Sequence, residues 1–162
     1  MQPDQLIQLR QYAWNYFSLH ADQRLKTFNF YAVLSTAIVA GILAIAKEAK
    51  NPAVAAPLAF LLAFLSFVFW KLDKRNRQLI KHGENALKHL EGEIGPTGES
   101  ASPHILQLFR YEEEATKFLP RLAKTWPTRA HFSYSTCFNA VFLLFGLGGM
   151  VLGGVLLYKG YG

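Results

Sequence analysis

Three charge-free apolar stretches, residues 27–46, 51–70 and 132–158, constrain this chain more than any other feature. A helix rises about 1.5 Å per residue, so about 20 apolar residues cross a bilayer core of about 30 Å. Inside lipid a backbone must satisfy its own polar groups, which a helix does within one segment. The sequence therefore predicts an all-α integral membrane protein with three transmembrane helices and a cytoplasmic helical region. The hydrophobic content, 51% of 162 residues, is only modestly high because it averages greasy spans with a charged remainder. That length leaves room for one compact unit. Its parts are an N-terminal cytoplasmic amphipathic helix (1–26), a transmembrane hairpin (27–72), a cytoplasmic helical region (73–131) and a third span with a short outer tail (132–162). The single cysteine, Cys137, excludes an intrachain disulfide.

Charge sets the expected orientation. Arg10, Arg24 and Lys26 precede the first span, and Lys47 and Lys50 follow it. Most of the 17 Lys and Arg residues lie between the second and third spans, from Lys71 to Arg129, whereas the C-terminal tail has only Lys159. Basic segments stay on the cytoplasmic side, so the N-terminus and central region are expected inside and the C-terminus outside a cell inner membrane. Tyr31, Trp70, Trp126 and Tyr134 are expected as membrane-interface anchors. The net charge of +6 is read as this flanking bias. Nucleic-acid binding is not expected, because no basic motif with interleaved aromatics of the base-reading kind is present. A cleaved signal peptide is the rival reading of the first span, through Ala44-Ile45-Ala46. The long leader with Asp4 and Asp22 favours an uncleaved anchor.

Residues 5–25 carry apolar side chains at helical spacing and run without a breaker into the first span, which predicts one long helix. Asn51 and Pro52 suit the start of the second helix, one as cap and the other in its first turn. Pro57, one to two turns in, is expected to kink that span. Beyond it, Leu72, Leu79, Ala86, Leu87 and Leu90 keep a seven-residue rhythm. That rhythm predicts packing against residues 5–25. Gly95-Pro96-Thr97-Gly98-Glu99-Ser100 is a turn; a further helix is expected from Ser102-Pro103 to about Phe118. Pro120, Trp126 and Pro127 mark an irregular link back to the bilayer.

The third span is rich in glycine. Gly149 and Gly153 form a small-xxx-small pair, with Gly146 on nearly the same face, so this strip is a candidate helix-packing or oligomer contact. No Asp, Glu, Lys or Arg lies within a span, which argues against a proton relay or coupled transporter. No metal site or cofactor is expected: His82 and His89, seven residues apart, stand about 10.5 Å from each other along a helix. Arg77 and His82 match the Arg-x4–6-His spacing that names the HEPN ribonuclease family. On a straight helix, however, their side chains diverge by about 140°. They are the weak catalytic candidates, against a reading as solvated or headgroup-contacting residues.

The layout resembles the SLATT-type effectors of bacterial anti-phage immunity. Residues 11–93 carry the likeness, above all the run His20-Ala-Asp-Gln-Arg24 before the first span and Phe69-Trp-Lys-Leu-Asp-Lys-Arg75 after the second. The third span departs from that two-span pattern. The Arg77/His82 pair is similar to HEPN-like membrane accessory proteins of some CRISPR systems, which form ring-shaped oligomers with a pore. The resemblance implies a non-enzymatic membrane protein that self-associates and perturbs membrane integrity or forms a pore. The alternatives are an anchor or scaffold for a soluble protein partner at the cytoplasmic helices, and a membrane-bound HEPN-like ribonuclease. The expected partners are the lipid bilayer and further copies of the chain.

Overall fold

The computed structural model describes residues 3–49, 51–93 and 134–161. Three helices, each long and apolar enough to cross a membrane, account for nearly all of them. They are α1 (Pro3–Glu48), α2 (Ala56–Glu93) and α3 (Tyr134–Tyr161), with a 3-10 turn at Pro52–Ala55 between the first two. At 1.5 Å per residue, α1 is about 69 Å long and α2 about 57 Å, both far longer than a bilayer core. The expected helix at 102–118, the Gly95–Ser100 turn and Trp126 lie outside the described residues.

Contacts divide the chain into two compact units rather than the single one its length suggested. In the first, described over 3–22 and 76–93, the start of α1 packs against the end of α2. Gly83 permits this approach: a β-carbon there would come within 3.0 Å of Phe17 Cβ and 3.1 Å of Phe17 Cα. Ala13 and Leu87 are buried nearby in sequence terms, while Tyr16 meets His20 edge-on at 4.5 Å. The seven-residue rhythm is present in part: of its five positions Leu87 is buried and Leu79 and Leu90 half-buried, whereas Leu72 and Ala86 are exposed. Within this unit the buried positions of α2 are Gly83 and Leu87, with Asn76 and Ile80 also half-buried. Counting only apolar residues misses that the closest approach on this face is at a glycine.

The second unit, 23–75 and 133–162, is the membrane-spanning bundle, described from residue 134 in its third helix. Asn51 shapes the connection: its Oδ1 accepts from Ala53 N at 2.9 Å, and its Nδ2 donates to Gly160 O at 3.4 Å. Because this cap starts a separate 3-10 turn, α2 begins only at Ala56. Pro57 therefore stands in the first turn of α2, where its missing N–H interrupts no helical bond. That corrects the expectation of a kink.

The glycine strip of α3 faces α2 of the same chain. A β-carbon at Gly149 would meet Ala59 O at 2.7 Å and Ala63 N at 3.0 Å; one at Gly153 would meet the Phe60 ring at 2.9 Å. Gly146 lies over Ser66, at 3.4 Å from its Cβ. Lipid tails are as apolar as leucine, so such close packing replaces the hydrophobic effect in holding membrane helices together. Gly149→Leu should therefore lower the thermal unfolding midpoint in detergent, with an overpacking cost of about 1–3 kcal/mol. Gly148→Leu, which points into open space, should leave that midpoint unchanged.

Candidate functional site

The spanning unit holds two features with chemistry in them: a polar clamp at one end and an open groove beside it. The clamp comes from the two runs flanking the first hairpin. Arg24 on α1 donates from Nε to Asp73 Oδ1 at 2.7 Å and from Nη2 to Asp73 Oδ2 at 3.1 Å. Nη2 also donates to Ser135 Oγ on α3 at 3.1 Å. The guanidinium carbon sits 5.0 Å from the centre of the Phe138 ring. The side chains of Arg24 and Asp73 are only 13% and 7% exposed. A planar guanidinium matches a carboxylate in two-point geometry, which fixes direction as well as distance. One residue of each helix thus meets at a single point.

A second polar link lies one to two turns further into the bundle. Tyr31 is fully enclosed, and its hydroxyl is 2.8 Å from Ser66 Oγ. Ser66 spends its one proton on Leu62 O at 2.7 Å, so Tyr31 is the donor of the pair. Tyr31 was expected as an interface anchor. Its ring instead faces protein, packed by Phe69 at 5.2 Å and Phe142 at 4.7 Å. Phe28 stacks on Phe138 at 3.8 Å beside it. Each such pair adds about 0.5–1.5 kcal/mol beyond burial. Tyr134 is exposed, and Trp70 is half-buried with the Lys74 ammonium 3.8 Å from its ring centre.

The groove, about 920 Å³, runs between α2 and α3. Phe60, Phe64, Phe67, Trp70, Leu143 and Met150 form its walls, and Ala63, Ser66 and Gly146 are among its smaller lining residues. Its polar contribution is sparse: Lys74, Thr136 and Asn139 lie toward one end. Trp70 Nε1 donates to Asn139 Oδ1 at 3.1 Å across the two helices. Sequence reasoning missed this groove, because it is created by the approach of α3 to α2 at Gly149 and not by any local motif.

The other candidates are not brought together. Arg77 and His82 are both exposed on the uninterrupted helix α2, and a straight helix keeps their side chains about 140° apart. Among the described residues there is no cluster of three or more His, Cys, Asp or Glu placed to hold a metal. Cys137 is exposed and unpaired in any disulfide.

Removing one partner of the clamp leaves a buried charge uncompensated, which costs about 3–5 kcal/mol. Asp73→Leu should therefore lower the unfolding midpoint strongly. Arg24→Met combined with Asp73→Leu should recover much of that loss, because no lone charge remains. A midpoint for the double variant at or below that of Asp73→Leu would refute the pairing.

Comparison with known proteins agrees with this architecture. CD-NTase-associated protein 19 of Escherichia coli is 30% identical over 150 residues, covering 92% of this chain and 91% of that protein. No solved structure matches the chain significantly. The model of the octameric membrane protein family (8xMP) matches residues 7–158, which takes in all three spans. With a family match and a relative that both extend over nearly its whole length, this multi-pass membrane chain belongs to the octameric membrane protein family.

Proposed function

We propose that the chain assembles in the membrane as a ring of eight copies and acts there as a non-enzymatic effector that compromises the bilayer. The observation that carries this reading is the match of the octameric family over residues 7–158. An association with a CD-NTase, by analogy with the Escherichia coli relative, supports a defence role. It also agrees with the effector role implied by the resemblance to SLATT-type proteins. The spans contain no Asp, Glu, Lys or Arg, so a transport cycle that needs an ionisable group at depth has no support here. The basic bias supports an orientation with the N-terminus and the central region in the cytoplasm, open to a soluble partner, and the C-terminus outside.

Anchoring a soluble partner is the second reading, and the word "associated" in the relative's name is what favours it. The two readings separate in one experiment. The detergent-corrected mass of the purified particle should be near eight times 18.3 kDa, and expression with the cognate partner should collapse membrane potential in a voltage-dye assay. A high-mass particle that co-purifies the partner yet leaves the potential intact would make it a scaffold. A monomeric particle would defeat the ring.

A further inference from the structure

Among the described residues, one face of α1 and one side of the α2–α3 pair are left without a partner in the spanning unit. On α1, Asn29, Val33, Thr36, Ala40 and Leu43 are exposed at helical spacing, opposite the enclosed Tyr31, Ser35, Ile38 and Ile42. Among the described residues the groove is lined by α2 and α3. Ser66, which lines it, accepts the Tyr31 hydroxyl of α1. The α1 strip and the groove therefore lie on opposite sides of one bundle.

A polar deficit marks the groove. Trp70 Nε1 can only donate, so the Asn139 atom it meets must be the carboxamide oxygen. That leaves both Asn139 amide hydrogens without an acceptor among the described residues. Such a donor within a span calls for a partner. Asn29 presents the matching group: it is exposed on α1, and its carboxamide makes no hydrogen bond among the described residues.

We propose that the groove seats a second copy of this chain, head to tail. The outer strip of α1 in one copy packs between α2 and α3 of the next, and Asn29 accepts a hydrogen bond from the neighbouring Asn139. This rests on the eight-copy reading. Depth supports it. Arg24 meets Ser135, Phe28 stacks on Phe138, and Tyr31 packs on Phe142, so α1 and α3 run parallel in step. Asn29 and Asn139, each one residue further along from the stacked pair, share a level. Rotation about the membrane normal keeps depth constant, so the two carboxamides of adjacent copies stand at the same level. Size agrees as well: α2 runs antiparallel, which puts bulky Phe60 near the level of the small residues Ala37 and Ala40 on α1. Small faces against large ones are what membrane helices pack with. Two different patches used head to tail close into a ring when the rotation permits. A phospholipid whose ester carbonyl met Asn139 is the competing occupant, and lipid retained by each chain is the readout that separates it from a second copy.

Paired cysteines test this in a Cys137→Ser background. Val33→Cys with Leu143→Cys, oxidised in native membranes, should give a ladder of covalent oligomers reaching the ring mass. Either cysteine alone should give monomers. Asn29→Leu, whose side chain touches no polar group of its own chain, should remove most of the high-mass particle while the monomer stays folded by circular dichroism. A multi-copy particle without a ladder, with phospholipid retained by each chain, would overturn the interface and leave the ring standing. Dimers from Val33→Cys alone would show a back-to-back contact and also overturn it. A monomeric particle without a ladder would overturn the ring and the interface together.

Discussion

A polar group placed in hydrocarbon must find its partner within protein, and that constraint organises the spanning unit. Thr27 and Thr36 return their hydroxyls to carbonyls one turn back, at 2.7 and 2.9 Å. Tyr31 passes its proton to Ser66, which passes its own to Leu62 O. Arg24 and Asp73 neutralise each other where the three helices converge. Ser35 is an exception, since its buried hydroxyl has no partner among the described residues. Exposed Asn29 and the amide of half-buried Asn139 are left over among the described residues, and a neighbouring copy is the source of partners that the proposed ring supplies.

Packing and polarity act together here. The strip Gly146, Gly149 and Gly153 lets α3 approach the backbone of α2, and the clamp and the Tyr31–Ser66 link hold α1 against both. The same approach opens the groove on the far side, because Phe60, Phe64 and Phe67 stand up as a ridge beside the small residues. A bundle closed on one side by α1 and grooved on the other is suited to repeating itself around an axis.

The spans were legible in the sequence because length and absence of charge are local properties. So were the unbroken α1 and the capping role of Asn51. The α2 contact face of the first unit was legible only in part: Leu79, Leu87 and Leu90 belong to its enclosed positions, but Gly83, where the helices come closest, carries no hydrophobic signal. The Arg24–Asp73 pair joins residues 49 apart, and nothing in either run announces the other. The SLATT-type resemblance nevertheless rested on those two runs. Tyr31 read as an interface anchor because aromatics gather at membrane surfaces. Ser66, which draws it inward, is visible as a partner only once α1 and α2 are paired. The glycine strip left packing within a chain and between chains equally open, and the close contacts with Ala59 and Ala63 place it within one chain.

The central claim is that a neighbour's α1 completes each bundle. An electron cryomicroscopy map of the full chain in lipid nanodiscs tests it most directly. The account predicts eight copies in a closed ring, with each α1 seated in the adjacent α2–α3 groove and Asn29 beside the neighbour's Asn139. A ring whose grooves hold lipid, or whose copies meet through the outer face of α3, would contradict it.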